Sequence, residues 1–235
     1  MPHRLETERL RCGYGSVTVV PSFDLNGDQG TILALLGPNG SGKTTVLETI
    51  AGLLPALDGV VTVDGYRLRN GQPHSAQQAG VVLVPDDRAL FFGLTVDENL
   101  RAARGQRSSG IGDIYDRFPP LARRRRLPAG QLSGGEQQML AIARALLQDP
   151  RVLLIDEMSM GLSPVVVEQL APMIRSIAEE ARAMVVIVEQ HVDLALQLAD
   201  RAMVLCHGVV TLDAACADLL LDPRLVEEAY FGPAQ

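Results

Sequence analysis

An α/β fold is predicted by three features of the sequence. First, Gly37-Pro38-Asn39-Gly40-Ser41-Gly42-Lys43-Thr44-Thr45 lies between a strand-sized apolar run, Thr31–Leu36, and a stretch from Thr44 to Leu53 with helical apolar spacing. Second, three more apolar runs, Val81–Val84, Val152–Ile155 and Met184–Val188, are uninterrupted and only four or five residues long. Each runs straight into polar or acidic residues, as a strand buried on both faces does where it leaves a sheet. Third, hydrophobic residues make up 47% of the 235, enough for one full core.

Taken in order, Leu5 to Leu25 reads as strands with a turn at Gly13-Tyr14-Gly15. Tyr14 has two readings: its ring stacks on a purine base, or it is a half-buried strand tyrosine. The next stretch matches G-x-x-x-x-G-K-[ST] without a mismatch. Glycines in such a loop let backbone N–H groups curl round a phosphate, and the following helix adds the positive end of its dipole. Lys43 then reaches the terminal phosphates and the Thr44 hydroxyl ligates a magnesium ion, so a nucleoside triphosphate is the expected ligand.

Gly59–Gly65 alternates and closes on Asp64-Gly65, a hairpin signal. After Val81–Val84 comes Pro85-Asp86-Asp87-Arg88, where Asp86 either faces magnesium and the attacking water or is an ordinary turn aspartate. Composition then changes. Thr95 with Glu98 starts a helix, Gly105–Gly112 is a Ser/Gly-rich connection expected to be mobile, and Asp113–Phe118 resumes a helix stopping at Pro119-Pro120. This part reads as a helical insertion. Tyr66 and Phe91 are read as core side chains, contact with a membrane partner's helix being the other reading.

Gln131-Leu132-Ser133-Gly134-Gly135-Glu136-Gln137-Gln138 opens a long amphipathic helix through Leu147. Ser133 and its two glycines leave N–H groups free at a helix start, a second anion-binding end about ninety residues beyond the first. One nucleotide does not need both within one chain. A head-to-tail dimer resolves this, each nucleotide lying between one chain's phosphate loop and the other's Ser-Gly-Gly end. In Val152–Glu157 two acids end a buried strand, which is costly unless a cation or hydrogen bond compensates. Asp156 fits a magnesium anchor, directly or through water, and Glu157 the base that polarises the attacking water; a structural salt bridge is the other reading. Met184–Val188 ends in Glu189-Gln190-His191, where a polar group could touch the γ-phosphate. Ala202–Leu205 and Val209–Leu212 form a closing hairpin, and helical turns follow from Ala214 to Ala229.

The formal charge of −7 and pI near 5.1 argue against nucleic acid as a partner. Arg123-Arg124-Arg125-Arg126 is the exception, read as a solvated helix end or a docking patch for an acidic partner. Cys12, Cys206 and Cys216 lack metal spacing and read as reduced thiols. No apolar stretch approaches ~20 residues and the first six carry no signal segment, so a cytoplasmic protein reaching a membrane only through partners is expected.

The phosphate loop, Leu132–Gln137 and Val152–Glu157, in this order, resemble the ATP-binding cassette (ABC) ATPases over about Leu5 to Gly232. The resemblance implies a P-loop NTPase with a RecA-like core, an antiparallel β subdomain and a helical subdomain inserted at about 90–150, all in one ABC ATP-binding domain spanning 1–235. It implies ATP and magnesium as ligands. It also implies hydrolysis within a homo- or heterodimer with a second cassette ATPase subunit, peripheral on the inner face of the cell membrane and docked on transmembrane permease subunits. Ser133, Gly134, Gly135 and Glu136 would then complete the partner's nucleotide site.

Leu132–Leu146, Gly161-Leu162-Ser163-Pro164, Val188-Glu189-Gln190 and the ending Ala229-Tyr230-Phe231-Gly232 are similar to one cassette subunit of bacterial branched-chain amino-acid importers, which works beside a second, different cassette subunit, two permeases and a soluble solute-binding protein. Relatives of that subunit serve urea and short amides. The rivals are a non-transport cassette ATPase and an unrelated small-molecule kinase. Against the general pattern, Asp86 stands for glutamine, Met158 for proline and Ser163 for aspartate. Counting ten residues back from Asp200 puts the family's switch position on Gln190; His191 is one residue late, and a one-residue shift reverses side-chain direction.

Overall fold

The computed structural model describes residues 4–105 and 110–231. Two antiparallel strands open the chain, β1 (Arg4–Tyr14) and β2 (Val17–Asp28), turning at Gly15-Ser16. The turn lies later than the sequence suggests because Gly13 and Tyr14 still pair with Thr18 and Val17. Next come β3 (Ile32–Leu36), the phosphate loop and α1 (Lys43–Ile50), which ends three residues short of the Leu53 expected from apolar spacing. The hairpin β4 (Asp58–Val63) and β5 (Tyr66–Arg67) turns on Asp64-Gly65 and returns to the first strands, giving a four-stranded antiparallel sheet in the order β2-β1-β4-β5.

The short helix α2 (Pro73–Gln78) leads to β6 (Val81–Val84) and then to a helical stretch. That stretch holds α3 (Val96–Ala103), α4 (Ile111–Arg117), α5 (Pro119–Arg123) and α6 (Gly134–Leu146). Thr95 caps α3 reciprocally with Glu98, as its spacing predicts. As expected, the helix stops before Pro119-Pro120, α4 ending at Arg117; the prolines then open a separate helix, α5, where a first-turn proline loses no helical hydrogen bond. Of the connection 105–112, residues 106–109 lie outside the described residues.

Strand β7 (Val152–Asp156), the long α7 (Pro164–Ala181), β8 (Met184–Glu189) and α8 (Val192–Leu198) follow. The hairpin β9 (Arg201–Cys206) and β10 (Val209–Ala215) and the helices α9 (Cys216–Leu221) and α10 (Arg224–Phe231) close the fold. Ala214 and Ala215 stay in the strand because they pair with Ala202 and Arg201, so helix begins only at Cys216.

These elements build a six-stranded sheet in the order β10-β9-β3-β8-β7-β6, parallel except for the edge strand β10. Every residue of β3, β7 and β8 is buried, as their unbroken apolar runs require. Alternate residues go to opposite cores. Ile32, Ala34, Leu153, Ile155, Val185 and Ile187 pack under the helices from α3 onward, whereas Leu33, Leu35, Leu154 and Val186 pack under α1 and the antiparallel sheet. Tyr66 and Phe91 join neither core: each is more than half exposed, the first on an edge hairpin, the second over the Arg144 guanidinium at 5.0 Å.

No helix of the described residues is long and apolar enough to cross a membrane. The arginine run is exposed, but Arg124 bonds Glu136 at 3.3 Å and Arg125 lies over the Tyr115 ring. The three cysteines are free and buried.

Candidate functional site

The parallel strands β3, β7 and β8 end side by side, with Leu36 paired to Glu189 and Asp156 to Val188. Whatever follows each strand is therefore delivered to one edge, the place where open α/β sheets hold ligands. After β3 the loop turns through Pro38, Asn39, Gly40 and Ser41 to Gly42, which caps α1 in the left-handed conformation at φ 106°. A side chain is disfavoured there, and a Cβ would lie 2.5 Å from a Val20 methyl. Lys43 is buried and its Nζ donates to the carbonyls of Gly37 (2.8 Å) and Pro38 (2.9 Å). Burial lowers its pKa, against the pull of Glu157 and Asp156. The buried Ser41 Oγ has no partner.

Thr44 is exposed at the first turn of α1 and hydrogen-bonds Asp156 at the end of β7. Burial first, then the neighbouring Glu157 and Asp86, push the Asp156 carboxyl up to about 6, and its buried Oδ1 has no partner. Asp86, in the turn after β6, lines the same cleft of about 440 Å³ as Thr44 and Asp156. All three offer hard oxygen donors, the set that suits magnesium, and the partnerless Oδ1 is the atom such an ion would satisfy. The residues fit the ion.

Glu157 takes a left-handed backbone at φ 47°, uncommon for a side chain of this size, and its N–H donates to Val188 O at 3.1 Å. Its Oε1 accepts a 2.6 Å hydrogen bond from Gln190 Nε2. His191 lines the same small groove but is exposed at the start of α8, with no bond to Glu157. Tyr14 is half-exposed, its hydroxyl 3.3 Å from Thr45 Oγ1, which sets the ring beside the start of α1.

The Ser133–Glu136 group lies elsewhere. Ser133 caps α6, its Oγ accepting from the Glu136 N–H while its own N–H donates to the Glu136 carboxylate at 2.9 Å. So the Ser133 N–H is not free, contrary to expectation; the N–H groups that an α-helix leaves without an internal acceptor at this end belong to Gly134 and Gly135. Among the described residues, no hydrogen bond or ion pair joins this helix start to the phosphate loop.

Two arrangements escaped the sequence reading. The buried Glu189 accepts from Ser159 N (2.9 Å) and Oγ (2.7 Å), clamping the segment after Glu157 to the strand end that carries Gln190. Burial raises its pKa and the Ser159 bonds oppose the rise. Asp200 Oδ2 accepts the Ile32 N–H at 2.8 Å and pairs with Arg175, fixing the start of β3. The only signal for the first was a glutamate inside an otherwise apolar strand.

Comparison with known proteins gives a consistent picture. Residues 21–160 match the ABC transporter family. The chain is 35% identical over 233 residues to the high-affinity branched-chain amino acid transport ATP-binding protein BraG of Pseudomonas aeruginosa, covering 97% of this chain and 99% of that one. It is 34% identical over 221 residues to the probable branched-chain amino acid transport ATP-binding protein LivF of Archaeoglobus fulgidus, covering 92% and 94%. Among solved structures, cbiO1 of Clostridium perfringens, part of the ABC transporter complex cbiONQ, superposes with a TM-score of 0.84 over 99% of this chain and 96% of that one. At 20% identity, that likeness speaks to the fold.

Proposed function

Because the chain belongs to the ABC transporter family, we propose that it is the ATP-hydrolysing subunit of an importer for branched-chain amino acids. The observation that carries the catalytic part is the meeting of the phosphate loop, Thr44 with Asp156, and Glu157 with Gln190 at one sheet edge. The names of the relatives BraG and LivF support the solute class. In this reading 1–235 is one ABC ATP-binding domain with a helical subdomain at about 90–150. It works in a dimer with a second cassette subunit on permeases at the inner face of the membrane, supplied by a solute-binding protein.

Adenine stacks on the half-exposed ring of Tyr14. The loop N–H groups from Asn39 to Thr45 and the Lys43 ammonium, released from its two carbonyls, hold the phosphates. Thr44, Asp86 and Asp156 would hold magnesium, which when bound neutralises charge on the phosphate oxygens. Ser133, Gly134 and Gly135 close over the partner's nucleotide, with Glu136 locking the cap. Glu157 takes the proton of the attacking water, and the Gln190 amide, leaving Glu157, donates to the γ-phosphate. Closure of the paired cassettes moves the permeases, and hydrolysis reopens them.

Uptake of labelled leucine, isoleucine, valine and urea, in cells carrying wild type or Glu157→Gln, tests the solute. Loss of the amino acids alone is expected. Loss of urea alone would keep the motor and change its cargo, and unchanged uptake of all four would overturn the importer assignment for these solutes.

The switch is tested separately. Gln190→Ala should lower ATP hydrolysis by about tenfold or more, the range of a positioned catalytic group. His191→Ala should leave it within about threefold, because the exposed ring makes no bond to Glu157. The reverse ranking in a phosphate-release assay would reassign the switch to His191.

A further inference from the structure

The chain's ending, Ala229-Tyr230-Phe231-Gly232, has no part in the chemistry above; Gly232 lies outside the described residues. Yet Tyr230, in the last turn of α10, reaches the phosphate loop. The N–H of Gly37, the loop's first residue, donates to the Tyr230 hydroxyl at 3.1 Å across 193 residues of sequence. Gly37 has little freedom of its own. It sits at φ 146°, pressed so closely against β9 that a Cβ would lie 2.0 Å from the Leu205 carbonyl oxygen.

The helix end that brings Tyr230 there is itself tied down. The Thr211 hydroxyl donates to Ala229 O at 2.9 Å and the Cys206 thiol to Tyr230 O at 3.2 Å, both from the β9–β10 hairpin. Burial raises the half-buried phenol's pKa above its ordinary value, so it stays neutral throughout the physiological range.

Both ends of the Gly37 residue are thus held without nucleotide, the N–H by Tyr230 and the carbonyl by Lys43. When Lys43 turns to the phosphates, the carbonyl anchor goes and the N–H anchor stays. Resting on the ATPase reading, we propose that Tyr230 is a positioning residue for nucleotide binding: its hydroxyl holds the start of the phosphate loop in the shape that receives the phosphates, so the C-terminal helix forms part of the nucleotide site. It touches no reacting atom and acts through Gly37.

Tyr230→Phe removes the hydroxyl and keeps the ring's packing. Full-length wild type and variant are compared by magnesium-ATP turnover, by titration with ATP and ADP, and by thermal melting without nucleotide. The expected result is a KM and Kd raised about three- to tenfold for both nucleotides, the scale of one net hydrogen bond. The kcat should stay within about twofold and the nucleotide-free melting temperature nearly unchanged. Wild-type KM and Kd in the variant would overturn the proposal alone. So would a fall in kcat together with a lower melting temperature, which would mark Tyr230 as a packing residue only. Failure of the wild type to bind ATP would take down the ATPase reading and this proposal with it.

Discussion

Glu157→Gln is expected to cut ATP hydrolysis by about a hundredfold or more while leaving ATP binding intact. The substitution is informative because the structure gives it so little else to disturb. Glutamine has the shape of glutamate, and its amide oxygen can still accept the hydrogen bond that Gln190 Nε2 makes to Glu157 Oε1. The left-handed backbone at this residue, φ 47°, is asked of a side chain of the same bulk. What disappears is the negative charge and the basic lone pair, the properties a proton acceptor needs. Lys43 also loses one of its two acidic neighbours, so ATP should bind at least as tightly. Phosphate release measured beside ATP titration separates the two effects. Retention of more than a tenth of wild-type turnover would remove Glu157 as the base. A parallel loss of binding would mean that its role is electrostatic support of the loop.

How much of this was readable beforehand follows from how far apart the interacting residues lie in sequence. The phosphate loop is contiguous, so the strand before it, its glycines and the helix after it could be read together. The buried strands were equally plain, because a run such as Val152-Leu153-Leu154-Ile155 with no polar alternation must be covered on both faces. Errors came where a local signal had two outcomes. Pro119-Pro120 ends one helix, as read, but it also starts another, and only the packing of Phe118 and Leu121 into the core favours that start. Ser133 followed by two glycines suggested free donors, but Glu136 three residues on claims the first.

The contacts that escaped are those set by strand order. Tyr230 meets Gly37, and Asp200 meets Ile32 across 168 residues, only because β9 lies beside β3. No local pattern announces that neighbour. The Gln190 register was an intermediate case. Both Gln190 and His191 follow β8; a count from Asp200 put the family's switch position on Gln190, but the bond from Gln190 to Glu157 joins two strand ends and was not foreseen.

Asp156→Asn should act in opposite directions on stability and on activity. At the end of β7 this carboxylate is only 3% exposed, yet its Oδ1 has no partner and its nearest charged neighbours include Glu157 and Asp86. Lys43 and the Thr44 hydroxyl compensate only in part, and the pKa is pushed up to about 6 from the ordinary 3.8. A raised carboxyl pKa means that the folded state holds the proton more tightly than the unfolded chain does. Ionised Asp156 therefore costs the fold stability above pH 6; the cost shrinks as pH falls from 6 towards 4 and is gone below the unfolded value.

Asparagine removes that charge. The metal-free, nucleotide-free variant should be more stable than wild type by about 3 kcal/mol at pH 7, with the difference closing near pH 4. Urea unfolding in EDTA at the two pH values measures it. Magnesium-dependent hydrolysis should meanwhile fall by about a hundredfold or more, since the oxygen left without a partner is the one a cation would take. The two results belong together: a carboxylate that destabilises the empty protein and is indispensable to the loaded one is held ready for a positive charge that the chain does not itself supply. A variant less stable than wild type at pH 7 would mean that the fold already satisfies Asp156, and its assignment as the magnesium anchor would fall.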